Sequence, residues 1–169
     1  SVITALGSEL DLFLAEDLMQ SPVVDAACLI NAPFSTFRTQ DLEQLEQKLL
    51  AAKNNRRKFV FVESLSPVTG ELAPLKELAA ITSKNGALLC VDESYAIGAL
   101  GLRGAGLTEK LGILADIFCI IGSLGYGVGC YGGFIAGEAT LIDYLQSTSR
   151  TFVSEPSPLP ALAAAVEEA

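Results

Sequence analysis

Three apolar runs in this chain lead into polar side chains: Lys58 to Glu63 into a carboxylate, Ala87 to Asp92 into a second, and Asp116 to Gly122 into the hydroxyl of Ser123. Runs that are apolar throughout read as strands buried on both faces of a parallel sheet. Such sheets collect their functional groups at the carboxyl ends of strands. A carboxylate placed like Asp92 either pairs with a cationic group or simply caps the turn after it. The third run opens onto a glycine-rich turn, Ile121-Gly122-Ser123-Leu124-Gly125-Tyr126-Gly127-Val128-Gly129. Its central side chain is a phenol, which cannot form the imine that a primary amine would form. No Lys follows Lys110, so no slip of register brings an amine into the turn. The plain alternative is that Tyr126 is an aromatic on a tight turn and nothing more.

Metal chemistry lacks a ligand set. Cys28, Cys90, Cys119 and Cys130 are widely spaced, form no CxxC pair, and have no His anywhere in the chain to complete a zinc site. They read as buried, reduced thiols. A formal net charge of −9 argues against a nucleic-acid groove, which needs a basic patch. The only basic cluster, Lys53 to Lys58, is interrupted by Asn54 and Asn55 and reads as a solvated loop. Half of the residues are hydrophobic and the mean hydropathy is +0.43, apolar for a free-standing domain. Such an excess implies apolar surface covered by further sequence or by a partner. The chain contains no signal peptide pattern and no apolar run long enough to span a bilayer.

The elements that must position these groups alternate between strand and helix patterns. Leu10 to Ala15 reads as a strand, Pro22 to Ala27 as a helix, and Cys28 to Asn31 as a second short strand. Asp41 to Lys53 carries Leu42, Leu45, Leu49 and Leu50 at helical spacing, with Thr39 or Asp41 as cap. Lys58 to Glu63 is a strand, Leu75 to Lys84 an amphipathic helix, and Ala87 to Asp92 another strand. Strands are expected at Asp116 to Gly122 and at Gly132 to Ala136, with a helix over Glu138 to Gln146. The pattern predicts an α/β fold: three layers, with a mostly parallel sheet covered on both faces.

Three blocks, in order, carry a resemblance to a known family. The first runs Val62-Glu63-Ser64-Leu65-Ser66-Pro67-Val68-Thr69-Gly70-Glu71-Leu72-Ala73-Pro74-Leu75. The second runs Val91-Asp92-Glu93-Ser94-Tyr95-Ala96-Ile97-Gly98-Ala99-Leu100-Gly101 and continues to Gly106. The third runs from Gly122 to Gly133, followed by Ser149-Arg150-Thr151-Phe152-Val153-Ser154. Together they resemble the α-oxoamine synthases, fold-type-I pyridoxal phosphate (PLP) enzymes that condense an amino acid with an acyl-CoA. The resemblance implies that Asp92 corresponds to the aspartate paired with the cofactor's pyridinium nitrogen. It places Ser123 at a phosphate-contacting hydroxyl, Tyr95 and Gln20 at two histidines beside the cofactor ring, and Tyr126 at the Schiff-base lysine. These five are therefore vestigial or interface positions, and no residue of the chain is assigned a catalytic role.

Within the family, the Glu-x-Leu-x-x-x-Thr-Gly pattern at Glu63, Leu65, Thr69 and Gly70, the pair Glu93-Ser94 and the segment Ser154 to Ala165 resemble the non-catalytic long-chain-base subunit of serine palmitoyltransferase. The retained Asp92 and the glycine-rich third block resemble catalytic members instead, so a separately decayed homologue of another oxoamine synthase stays open. So do a PLP-binding or regulatory module and a purely structural fragment. The resemblance implies a single, partial large domain over residues 1–169, with the family's N-terminal segment and C-terminal small domain missing. It also implies a heterodimer with a catalytic subunit that holds the PLP, or a homodimer in isolation. The place implied is the cytosolic face of the endoplasmic reticulum membrane, reached through segments outside this sequence. The loops Ser66 to Gly70, Tyr126 to Gly133 and Arg150 to Ser157 are expected to form the shared wall.

Overall fold

Successive side chains of a strand point to opposite faces, and here both faces find cover. A computed structural model describes residues 2–19, 22–154 and 159–168. Its sheet has six strands: β1 (Leu12–Glu16), β2 (Phe34–Phe37), β3 (Lys58–Glu63), β4 (Leu88–Asp92), β5 (Cys119–Ser123) and β6 (Gly133–Gly137), in the spatial order β2-β1-β3-β4-β5-β6. All pairs are parallel except β5 with β6. On one face Leu14, Val60, Val62, Leu89 and Val91 pack under α3 (Leu42–Ala51), α4 (Leu75–Lys84) and α5 (Leu107–Leu111). On the other, Phe13, Phe59, Phe61, Cys90 and Cys119 meet α1 (Val2–Leu6), α2 (Pro22–Leu29) and α6 (Ala139–Thr148). Two cores on one sheet are the expected three-layer α/β arrangement. Each fully buried Phe or Leu contributes roughly 1.5–3 kcal/mol to it.

The second face is held by aromatic stacking: the rings of Phe13 and Phe59 lie 5.0 Å apart and nearly parallel. The chain closes with two short helices, α7 (Arg150–Ser154) and α8 (Pro160–Glu168).

Most expected elements form within two residues of their predicted bounds, and β3 and α4 match them residue for residue. One strand does not. Cys28 and Leu29 continue α2, because Ala26 and Ala27 bury under the sheet and carry the helical period on. Asn31 then turns the chain at φ 52, and the strand is the later Phe34–Phe37. Cys28 is exposed, against the expectation of a buried thiol, whereas Cys90 and Cys119 are buried. The basic run is also more than a solvated loop. Arg57 Nη2 lies 2.8 Å from Asp11 Oδ2, and Arg56 Nε lies 3.3 Å from Asp11 Oδ1. The Asp11 carboxylate is fully buried between them, with a further bond from the Ser8 hydroxyl.

Candidate functional site

The sheet reverses its strand order at β1, which has β2 on one side and β3 on the other. Ligand crevices in open α/β sheets form at such a switch point, outside the carboxyl ends of the strands. Here a cleft of about 220 Å³ opens there, lined among others by Glu16, Arg38, Thr39, Glu63, Ser66 and Thr69. Glu16 ends β1, Glu63 ends β3, and Asp92, the register partner of Glu63, ends β4. Three carboxylates thus stand side by side on one sheet edge.

The three are not equivalent. Glu16 is buried; its Oε1 accepts from the Glu63 backbone N–H at 2.7 Å and its Oε2 accepts from the Thr39 hydroxyl. Burial nevertheless raises its pKa, with Asp17 and Asp92 adding repulsion. Glu63 lacks such compensation: its Oε2 is shut away from solvent without a partner. Burial, then the charges of Glu16 and Asp92, push it up to about 7. Asp92 is half-buried, and its Oδ1 accepts the Ser94 backbone N–H at 2.8 Å, so the capping role exists and leaves the second oxygen free of it.

Glu93 fastens the neighbouring elements together. It is fully buried, accepts from the Ser64 hydroxyl at 2.6 Å, and accepts from the Leu107 and Thr108 N–H groups at the start of α5. One carboxylate therefore ties the end of β3, the turn after β4 and the first turn of α5 together. Ser94 continues the tie, its hydroxyl accepting the Ser123 N–H at 2.8 Å. Ser123 Oγ in turn accepts from the Gly125 N–H at 3.2 Å and so shapes the glycine-rich turn.

That turn lies directly on the turn after β4. A Cβ on Gly127 would overlap the Ile97 carbonyl oxygen, and one on Gly98 would come within 2.9 Å of the Gly127 oxygen. Backbone meets backbone only because both positions are glycine. This approach places Tyr126 against Tyr95, with ring centroids 4.3 Å apart and planes inclined by 24°. A hydrogen bond to Tyr126 raises the Tyr95 pKa, helped by burial and by the charges of Tyr126, Glu63 and Asp92.

The structure therefore brings Asp92, Ser123, Tyr95 and Tyr126 together at the ends of β4 and β5. Gln20, the fifth position, lies outside the described residues. Glu16, Glu63 and Glu93 were not among the expected site residues, although the strand-terminal place of Glu63 was visible in the sequence. No group of side chains able to hold a metal ion occurs among the described residues.

This sheet order, with its antiparallel last strand and its site at the carboxyl edge, has known relatives. The family profile for aminotransferase class I and II matches residues 3–169. The chain belongs to that family. Its relatives are PLP-dependent enzymes of fold type I, and those most similar are α-oxoamine synthases. It is 35% identical over 164 residues to a putative 8-amino-7-oxononanoate synthase of Bacillus licheniformis, covering 97% of this chain and 43% of the relative. To the 8-amino-7-oxononanoate synthase of Anaeromyxobacter sp. strain K it is 40% identical over 157 residues, covering 92% and 39%. Among solved structures, the serine palmitoyltransferase of Sphingomonas wittichii superposes with a TM-score of 0.90 at 28% identity. That of S. paucimobilis, with a PLP–myriocin aldimine bound, gives 0.91 at 26%. The chain spans about two fifths of the length of these relatives, 42% for both solved structures.

The residues present do not fit PLP held as a Schiff base. The segment from residue 111 to the C-terminus has no lysine, and a stacked pair of phenols stands beside Asp92.

Proposed function

We propose that this chain is, or is part of, a non-catalytic subunit of serine palmitoyltransferase, paired with a catalytic paralogue that condenses L-serine with palmitoyl-CoA in sphingolipid biosynthesis. The observation that carries this reading is the Tyr95–Tyr126 stack, which puts two phenols where a lysine and a histidine are expected. The partner holds the PLP and carries out the bond-making steps. This chain supplies rigid support from a sheet edge fastened by Glu93 and Ser94. Its contribution to the shared wall is apolar: Val68, Tyr126, Tyr131, Phe152 and Val153 are exposed along the three loops expected to form it. In the described residues the third of these is partly helical, as α7, and residues 155–157 lie outside them. The complex is proposed at the cytosolic face of the endoplasmic reticulum membrane. No helix among the described residues is long and apolar enough to cross a membrane.

A second reading rests on a specific finding. The 8-amino-7-oxononanoate synthases are 40% and 35% identical to this chain over most of its length. That favours a decayed homologue or regulatory module derived from that branch. Co-expression with a catalytic serine palmitoyltransferase subunit separates the two. Co-purification, together with condensation activity that depends on both chains, is the expected result. Borohydride trapping of PLP on this chain, or a catalytic subunit indifferent to it, would overturn the reading.

A further inference from the structure

The two aromatic substitutions are in contact, which two independent losses would not require. Tyr95 comes after β4 and Tyr126 sits in the turn after β5, 31 positions later in the sequence. They meet at 4.3 Å because Gly98 and Gly127 let the two backbones touch. Stacked rings at this distance add attraction beyond their buried area. The contact also bridges the turns that follow β4 and β5, beside the strand-end carboxylate of Asp92.

We infer that the Tyr95–Tyr126 stack is a built-in replacement for the cofactor ring: it fills the space in front of Asp92, fastens the turns after β4 and β5 to each other, and closes this chain to PLP even as a non-covalent ligand. The electrostatics agree with that placement. Asp92 and Glu63 both act on the Tyr95 hydroxyl, so the pair stands within their reach. Tyr126 remains 60% exposed, which leaves part of the stack open to a neighbouring subunit. The inference deepens the non-catalytic reading of this chain, and the two fail separately. A chain that binds PLP reversibly and still activates a partner would sink this inference alone.

Equilibrium dialysis and absorbance titration with PLP test it, using wild type, Tyr95→Phe/Tyr126→Phe, Tyr126→Ala and Tyr95→Ala/Tyr126→Ala, each in the full chain. Wild type and the double Phe variant, which keeps both rings, are expected to show no saturable binding and no PLP-dependent rise in melting temperature. The double Ala variant is expected to melt at a lower temperature without PLP. It should gain affinity by about tenfold or more and recover part of the lost stability when PLP is added. Adding Asp92→Asn to it should remove the gain. If the double Ala variant does not fold, Tyr126→Ala decides the same question with one ring removed. Saturable PLP binding by wild type overturns the inference whatever the variants do, as does a folded Ala variant that binds no better than wild type.

Discussion

Replacing Glu63 by Gln tests the electrostatics of the sheet edge directly. The Glu63 carboxyl is pushed from its ordinary 4.5 up to about 7 by burial and by Glu16 and Asp92. The folded state therefore holds a proton that the unfolded chain has released, and stability falls as pH rises between these two values. Stability from this group is complete below pH 4.5 and is lost above about pH 7. A rise of about 2.5, at about 1.4 kcal/mol for each whole pH step, sets an upper bound of about 3.5 kcal/mol. Solvent screening of a half-buried group reduces that to roughly 2–3 kcal/mol. Gln cannot ionise, so Glu63→Gln is expected to gain that amount on wild type between pH 4.5 and pH 8. Urea denaturation of both proteins across this range measures the difference, and comparing the two cancels the titrating groups that do not interact with Glu63. A difference that stays flat with pH, or shrinks as pH rises, would refute the account of Glu63 as a proton-holding carboxyl.

Three further outcomes are expected. Glu93→Ala removes the acceptor of three buried donors at Ser64, Leu107 and Thr108; it should cost about 4 kcal/mol or more in denaturant unfolding. Asp11→Ala removes the shared acceptor of Arg56, Arg57 and Ser8; because both arginines stay partly solvated, it should cost about 1–3 kcal/mol. In wild type, Asp11 is lowered to about 2, its arginine and serine hydrogen bonds overcoming the opposing effect of burial. Its contribution is present above its ordinary 3.8 and lost as pH falls toward 2, which acid denaturation of wild type against Asp11→Ala would read. Gly127→Ala forces a methyl group into the Ile97 carbonyl; a loss of about 1–3 kcal/mol is expected, together with a changed near-ultraviolet tyrosine dichroism as the stack separates.

The strands legible in the sequence were those whose burial is continuous. Lys58–Glu63 carries a run of apolar side chains, Phe59 to Val62, that only a sheet covered on both faces accommodates. The helix at Leu75–Lys84 shows its period because Leu75, Leu78, Ala79 and Thr82 share one buried face. The misread stretch, Cys28 to Asn31, is a short apolar run whose period fits either state. It was settled by the packing of Ala26 and Ala27 and by the left-handed turn at Asn31. The Asp11 cluster was illegible for a different reason: its arginines lie 45 and 46 positions away, and only the pairing of β1 with β3 brings them close.

The amino-acid sequence by itself determined the chemistry this chain lacks. A chain without His cannot place an imidazole at its site in any fold, and without Lys after position 110 its glycine-rich turn carries no amine. It also determined the layered α/β architecture, because burial period is a local property of each segment. The tertiary structure alone decided that Tyr95 and Tyr126 stack on each other beside Asp92, and that Glu16 and Glu63 share a cleft at the switch point. Those contacts depend on strand order and on two glycine backbones meeting across the chain, which no local pattern encodes.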